Sequence, residues 1–336
     1  MKRVLCIALC ALAALLACSC DDAKTVPTAA TETEAATEAA TEAPATADSP
    51  KPTEKGSRHS LKAFISNFDT TVTVDEKIVY KDADLEVKTT GIDYSSAVGP
   101  ELKLCFKNNF GKDITVQAPY AVVNGYMVKP DMSVDIPYAK NGEGTLTLPY
   151  FSLSLADITC LQKIEFSLRI VETQSFNPIT KTDIITVTTS ADQDAEPEYD
   201  ESGQVAYDDN DIKIVLKGVN TDRGLTDGAE LVVYMYNGTD RTIAIQTGDV
   251  KVNGYDMTSV MNRSILPGKR AVDAVTIFAQ DLDEHSIDEI DSVKVSFVIK
   301  DADSWEDIDS TELISVQTDI GASEAQTDAE TAAQTE

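Results

Sequence analysis

The feature that most constrains the fold of this chain is an internal repeat. The tetrapeptide Val-Asn-Gly-Tyr at residues 123–126 recurs 129 residues later, at residues 252–255. The segment of alternating apolar and polar residues at 164–170 falls on residues 293–299 at the same offset. Because self-similarity at a fixed spacing indicates a duplicated structural unit, the sequence predicts two copies of one domain of about 115 residues.

Each copy has the pattern of β-strands. Apolar and polar residues alternate at residues 102–106, and the matching residues 231–235 keep the apolar positions, as in half-buried strands. The Asn-Gly pairs at 124–125 and 253–254 predict type I′ hairpin turns, because that turn needs two residues with positive φ. About seven or eight short antiparallel strands per copy predict a two-sheet sandwich. The predicted fold class is all-β, with two tandem immunoglobulin-like β-sandwich domains after a signal peptide and a disordered tether.

Finer predictions concern short segments. Residues 242–246 and 249–252 are predicted as two separate strands of the second copy. One or two helical turns are predicted within residues 154–161 and 280–290, where apolar residues have helical spacing.

The first twenty residues indicate where the chain resides. Two basic residues precede an apolar run at residues 4–17, which is shorter than the roughly 20 residues that a membrane-spanning helix needs. Leu-Leu-Ala-Cys at residues 15–18 resembles a bacterial lipobox. The resemblance implies that the peptide before Cys18 is removed and that Cys18 carries a diacylglycerol. Cys20 gives a second, weaker frame, and an ordinary signal peptide or an uncleaved anchor remains an alternative.

The strand pattern also resembles a family. In each copy an apolar strand, a polar turn, a short strand (Ile114–Gln117 or Ile243–Gln246) and Val-Asn-Gly-Tyr follow one another. This order is similar to the telokin-like immunoglobulin-fold domains of surface lipoproteins from Gram-positive bacteria, over most of both copies. The resemblance implies a fold and a location but no reaction. The Cys…Trp…Cys core of antibody domains is absent from the sequence.

Six segments follow from these patterns. They are a lipoprotein signal peptide (1–17), a lipid-anchored Thr/Ala/Glu-rich disordered linker (18–59), a first immunoglobulin-like repeat (60–191), an acidic hinge (192–203), a second immunoglobulin-like repeat (204–318) and a disordered acidic tail (319–336).

The net charge excludes some partners. The chain has 28 Lys and Arg against 57 Asp and Glu, which gives a net charge of -29. No basic surface is available to displace counterions from nucleic acid, so we expect no nucleic-acid partner. The acids favour solubility, and capture of a cation or of a basic partner is the alternative interpretation.

Catalytic signals are few. The chain has two His, His59 in the tether and His285 in an acidic stretch, and neither has a counterpart in the other copy. A Ser-His or Cys-His pair needs a base held in a rigid cleft. No Gly-rich phosphate loop, H-E-x-x-H or C-x-x-C is present. We therefore predict no enzyme activity, no catalytic residue and no cofactor, although a hydrolase with paired carboxylates remains open.

Metal and disulfide sites are also weakly indicated. The acidic loop 301–309 lacks EF-hand spacing, so it is either a weak calcium site or a solvated loop, and no metal site is predicted. Cys105 and Cys160 occur only in the first copy, and Cys105 is expected on the outer side of its strand. Export permits a disulfide between them, and the sequence leaves that question open.

Aromatic residues offer two kinds of site. Phe176 and Trp305 are equivalent; we expect them to plug the core, with a carbohydrate-stacking platform as the alternative. Tyr126 and its counterpart Tyr255 are expected to pack across strands. A pair at residues 234 and 236 is expected on the solvent side of its strand.

The sequence thus predicts a membrane-anchored, extracytoplasmic lipoprotein on the outer face of the cell membrane. It would act as a binding or structural module without catalysis, attached through lipidated Cys18, and its partner would be an unknown surface protein or glycan. An accessory subunit of an envelope transporter or sensor is the alternative, and an extracellular hydrolase is the least favoured interpretation.

Overall fold

The fold is given by a computed structural model that describes residues 61–194, 197–220 and 228–317. The predicted signal peptide and tether, with Cys18, Cys20 and His59, lie outside the described residues, as does the predicted tail from residue 319. None of the helices in the described ranges is long and apolar enough to cross a membrane.

The first repeat consists of ten strands and two short helices. They are α1 (Leu61–Asn67), β1 (Lys77–Lys81), β2 (Leu85–Asp93), β3 (Glu101–Asn108), β4 (Ile114–Val123), β5 (Tyr126–Val128), β6 (Ser133–Ile136), β7 (Asn141–Thr147), α2 (Tyr150–Leu155), β8 (Lys163–Glu172), β9 (Pro178–Lys181) and β10 (Ile185–Thr188). One sheet has the order β1-β2-β3-β7, and the facing sheet has the order β10-β8-β4-β5, with β6 on β4 and β9 on β8.

The second repeat follows the same plan. Its elements are β11 (Gln204–Asp209), β12 (Ile212–Asn220), β13 (Ala229–Asn237), β14 (Ile243–Val252), β15 (Tyr255–Asp256), β16 (Ser259–Val260), β17 (Asn262–Ile265), β18 (Arg270–Ile277), α3 (Ala279–Glu284), β19 (Val293–Asp301), β20 (Asp307–Ser310) and β21 (Ile314–Ser315). Strands β11, β12, β13 and β18 form one layer, and β14, β15, β17, β19, β20 and β21 form the other. The predicted fold class of two immunoglobulin-like β-sandwiches is confirmed, while the exact domain boundaries stay a prediction.

The two Asn-Gly hairpins are confirmed by the backbone. Asn124 and Asn253 both have φ of 49°, and the glycines after them have φ of 88° and 89°. Each Asn side chain also accepts two backbone N–H groups from the loop before the next long strand, as Asn124 Oδ1 does from Gln162 and Lys163. The turn residue therefore fixes both the hairpin and the loop that covers it.

One predicted pair of strands is a single strand. Residues 242–246 and 249–252 belong to β14, which continues through a bulge between Thr247 and Val250. The bulge interrupts the alternation of apolar residues, and this interruption made one strand resemble two. The first predicted helical segment is displaced, because α2 lies at residues 150–155 and overlaps residues 154–161 only at their start, whereas α3 covers the first part of residues 280–290.

A buried asparagine closes the same turn in both repeats. The amide of Asn108 donates to the carbonyls of Lys112 and Ile136 at 2.9 Å each. Its counterpart Asn237 donates to the carbonyls of Arg241 and Ile265 at 2.8 Å each. Both side chains are fully buried, so they satisfy backbone carbonyls that water does not reach.

The two sandwiches share one sheet. β5 pairs in parallel with β18, with Tyr126 opposite Arg270 and Met127 opposite Ala271, and this pairing joins strands of both repeats into an 11-stranded sheet. In the first repeat β3 leads through the turn at residues 109–113 into β4, which is antiparallel to β5, so β3 runs in the same direction as β5. Its counterpart in the second repeat, β13, is antiparallel to β18 and therefore runs opposite to β5. The parallel pairing therefore inverts the second repeat, so that equivalent strands of the two repeats run in opposite directions.

Polar contacts of two buried residues, Arg263 and Asp273, reinforce this junction. Nη2 of Arg263 donates to the carbonyl of Met127 at 2.5 Å, and Lys129 forms an ion pair with Asp273 at 2.6 Å. Burial lowers the pKa of the Arg263 guanidinium, and nearby Asp273 opposes that shift. Asp273 thus supplies the negative charge that a buried guanidinium needs.

Candidate functional site

The two equivalent aromatic residues lie at hairpin tips. Phe176 is in the β8–β9 turn and is 62% exposed, and Trp305 is in the β19–β20 turn and is 51% exposed. The prediction that they plug the core is therefore wrong. Each residue follows the last buried positions of a long strand, and the chain reverses there, so the side chain projects beyond the sandwich instead of into it.

Both aromatic residues adopt a left-handed backbone. Their φ values are 56° for Phe176 and 61° for Trp305. Each turn is closed by a backbone bond, from Phe176 N–H to the carbonyl of Glu172 at 2.8 Å and from Trp305 N–H to that of Asp301 at 2.9 Å. Glycine is the residue that fits this backbone without steric cost, and a bulky side chain there costs about 1–2 kcal/mol. Both repeats keep an exposed ring at a position where the fold itself favours glycine.

The Trp305 tip is acidic. Asp301 Oδ1 accepts the backbone N–H groups of Asp303 and Ser304, and these bonds lower the pKa of Asp301. Arg241 forms an ion pair with Asp301 at 3.6 Å. Three further carboxylates of this end have no cationic partner among the described residues; they are Asp240, Asp303 and Glu306.

These carboxylates do not form a calcium cage. Within the described ranges no group of three or more His, Cys, Asp or Glu side chains is placed to hold a metal ion. In this loop Asp301 instead caps the turn, and Asp307 forms an ion pair with Lys300.

The Phe176 tip has a different charge. Glu172 accepts a hydrogen bond from Ser175 at 2.6 Å and pairs with Lys112 at 3.6 Å, so its charge is balanced locally. The two tips therefore share an exposed ring and differ in electrostatics. Because the repeats are inverted, the tips also lie at opposite ends of the described structure.

Tyr126 and Tyr255 have different surroundings. Tyr126 is 4% exposed, and its ring packs against Tyr199 of the segment between the repeats and Tyr234 of the second repeat, so its contacts extend beyond the expected cross-strand packing. Tyr255 is 49% exposed, and its ring stacks on His285 with centroids 4.5 Å apart.

The expectation that residues 234 and 236 face solvent is wrong. Both project from the outer face of β13, but the first repeat covers that face. Tyr234 is fully buried and Tyr236 is half-buried. Sequence analysis also missed Glu201 and Arg270, which contact these side chains, and Tyr199, whose ring stacks on Arg270. The available signal was the unbroken apolar run at residues 231–236, which indicates a strand covered on both faces.

The cysteines are not bonded to each other. Cys105 is half-buried on the outer side of β3, as expected, and Cys160 Sγ lies 3.8 Å from a carboxylate oxygen of Asp69. Burial raises the pKa of the Cys160 thiol, and the Asp69 charge adds to that shift. Cys160 is thus held as a thiol and is not an activated nucleophile.

A groove of about 420 Å³ lies beside α3. It is lined by residues 278–281 and Thr258, and its acid, Asp281, accepts the backbone N–H of Thr258 at 2.5 Å. The lining therefore holds one capped carboxylate with neither a paired second acid nor a histidine.

Comparisons with known proteins show no family for this chain. No family model matches it, and no curated protein sequence is significantly similar to it. Among solved structures, the YadV chaperone is 13% identical with a TM-score of 0.22, and the match covers 64% of this chain and 92% of the chaperone. The Salmonella enterica SafA pilin in complex with the SafB chaperone is 7% identical with a TM-score of 0.22, over 70% of this chain and 98% of the other. A protein of unknown function from Porphyromonas gingivalis is 10% identical with a TM-score of 0.19, over 73% of this chain and 97% of the other. At these TM-scores the similarities carry no argument about function.

Proposed function

We propose that this chain is a lipid-anchored, extracytoplasmic protein whose two immunoglobulin-like repeats act as a non-catalytic binding module. The observation that carries the proposal is the pair of equivalent tips at Phe176 and Trp305. Each tip keeps an exposed aromatic ring at a backbone position that glycine would fill at lower cost. The combination of a strained backbone and a largely exposed ring in both repeats is what supports a role in contact with another molecule.

The chemistry of such a tip suits recognition. An exposed Trp or Phe supplies a large apolar face with few rotatable bonds, and such residues dominate the energy of protein interfaces and of sugar stacking. The acids around Trp305 add a charge that the Phe176 tip lacks, so we expect the two tips to prefer different partners.

The anchor belongs to the same proposal. Lipidation at Cys18 would place the module on the outer face of the cell membrane, as in the Gram-positive surface lipoproteins that the sequence resembles. A surface protein or a glycan is the proposed partner. An accessory role beside an envelope transporter or sensor is the alternative, and the experiment below separates the two.

Photocrosslinking in cells tests this function. A benzophenone amino acid in place of Trp305, and separately in place of Phe176, replaces one aromatic ring by another at the tip. The matched control carries the same group in place of Val260, which is 59% exposed in the second repeat but is not at a tip. We expect tip-specific crosslinks to a partner that the control does not capture.

The identity of the crosslinked partner then decides the role. Crosslinks to one integral envelope protein would favour the accessory role. Crosslinks to surface proteins or cell-wall glycan would favour the free binding module. Equal capture from all three positions would overturn the assignment of the tips as the binding site.

A further inference from the structure

Arg270 is held between two aromatic rings at the junction of the repeats. Its guanidinium carbon lies 3.7 Å from the ring centroid of Tyr199 and 4.5 Å from that of Tyr236. Its Nε donates to the hydroxyl of Tyr234 at 3.1 Å. A guanidinium stacked on aromatic faces and hydrogen-bonded at its edge is a favourable and directional arrangement.

Tyr199 comes from the segment between the repeats, which was predicted to be a hinge. Its ring lies edge-on to Tyr126 with centroids 5.4 Å apart. Its hydroxyl sits on the Asn-Gly turn of the first repeat so closely that a Cβ at Gly125 would lie 2.4 Å from it. Tyr199 therefore contacts the first repeat directly and holds Arg270 of the second repeat on its ring.

Two acids of the same segment bind the second repeat. Glu201 accepts a hydrogen bond from Tyr234 at 2.8 Å and forms an ion pair with Lys213 at 3.0 Å. Asp200 forms an ion pair with Lys217 at 2.7 Å. Residues 199–201 are thus fixed to β12 and β13 by side chains that their sheet presents at the junction.

The counterpart positions elsewhere in the chain lack these residues. In the first repeat, Cys105 stands where the second has Tyr234, Lys107 where it has Tyr236, and Asn141 where it has Arg270. No described residue covers the glycine of the other Asn-Gly turn, because none lies within 4 Å of a Cβ built at Gly254. These side chains therefore occur together only where the two repeats meet, whereas a passive linker would need none of them.

We infer that residues 199–201 and Arg270 form a clasp that locks the two repeats into one rigid, inverted unit. The segment 192–203 then does not act as a pivot. The two tips stay at opposite ends, so that the protein bridges two binding partners instead of closing both tips on one. This last consequence rests on the proposed function, but the rigidity does not, and the two are tested separately.

Distance measurements between spin labels test the clasp. The labels replace Thr186 on β10 and Lys294 on β19, which are exposed strand positions in different repeats. The protein is the mature chain with Cys18, Cys20, Cys105 and Cys160 replaced by serine. We expect a single narrow distance distribution, and the double variant Tyr199→Ala, Arg270→Ala is expected to broaden it.

Controls keep the result specific. Tyr199→Phe retains the ring and should retain the narrow distribution. Tyr255→Ala removes the counterpart of Tyr126 from the other Asn-Gly turn and should change nothing. Circular dichroism must show unchanged β content in each variant. If the double variant does not fold, the single variant Arg270→Lys replaces it; lysine keeps the charge but loses the planar stack and the Nε hydrogen bond to Tyr234.

Cleavage by a Glu-specific protease gives a second readout. Glu198 and Glu201 lie in the segment 192–203 between the repeats, and a protease can cleave after them only when this segment opens locally. Losing the cation–π contact is expected to speed cleavage within 192–203 by about tenfold, measured by mass spectrometry of the fragments. A broad distance distribution in the starting protein would overturn the clasp, as would unchanged distances and unchanged cleavage in the double variant. Neither result would bear on the tips as binding sites.

Discussion

Tyr126 and Tyr255 follow the same Asn-Gly turn in the two repeats, yet Tyr126 is 4% exposed and Tyr255 is 49% exposed. The difference comes from what each turn meets. The first turn receives Tyr199 and the edge of β18, whereas the second meets His285 of its own repeat. The two Asn-Gly hairpins are thus equivalent edges of their repeats, and the hairpin of the first repeat forms the junction.

β5 and β18 are the edges joined at the junction, and their counterparts β15 and β7 are edges that differ from them in charge. At the junction, Lys269 pairs with Glu165 at 2.8 Å. The counterparts of these two residues at those two edges are Lys140 and Lys294, so a second copy docking head to tail would bring two lysines together. We therefore expect the chain without its lipid to be a monomer. Light scattering after gel filtration checks this, and a concentration-dependent rise in mass would contradict it.

Removing Asn237 should strongly destabilise the second repeat. Asn237→Ala leaves the carbonyls of Arg241 and Ile265 buried without their donor, which is expected to cost about 2–4 kcal/mol in the free energy of unfolding. Urea unfolding followed by circular dichroism measures the loss. The control Asn262→Ala removes an exposed amide and should stay within about 0.5 kcal/mol. Equal effects of the two variants would show that the buried bonds carry no stability.

Replacing Trp305 by glycine should separate binding from folding. Glycine removes the steric cost of φ 61°, partly offset by the greater freedom of the unfolded chain, so we expect stability to be unchanged or higher by up to about 1 kcal/mol. The variant should no longer bind the partner that is captured by photocrosslinking at position 305. Urea unfolding and a pull-down with the crosslinked partner measure the two effects. A clear loss of stability would mean that the ring packs structurally.

Acid should weaken the clasp through Glu201. The hydrogen bond from Tyr234 lowers the pKa of Glu201, and the charges of Lys213 and Arg270 add to this effect, while burial opposes it. Because the pKa is lower in the folded state, the stabilisation is present above the unfolded value of about 4.3 and is lost as the pH falls through the folded value. Asp208 is a second carboxylate that forms an ion pair with Lys213, so Glu201 shares this lysine with another negative charge.

The measurement compares the protein with Glu201→Gln. Urea unfolding from pH 7 to pH 3 should show a stability difference at neutral pH that shrinks below about pH 4.3, since the other carboxylates cancel in the difference. A difference that does not change with pH would contradict a charged role for Glu201.

Much of the fold was predictable because its signals are local. The Asn-Gly turns at 124–125 and 253–254 require a particular backbone, and they form the hairpins that the dipeptide predicts. The junction was missed because alternation was weighed within each repeat. The run at residues 231–236 is apolar at every position, and only contact with another layer explains both faces. Trp305 was misplaced because hydrophobicity predicts burial only on average.

The anchor prediction rests on Cys18. Cys18→Ser removes the thiol that would carry the lipid, so the protein should move from the membrane fraction to the medium. A single acyl anchor binds membranes reversibly, and two chains on one residue bind stably, so the shift should be nearly complete. Fractionation with immunoblotting measures it, and Cys20→Ser is the matched control that should stay in the membrane. Release by Cys20→Ser alone would move the anchor to the second frame, and retention of both variants would indicate an uncleaved apolar segment at residues 4–17.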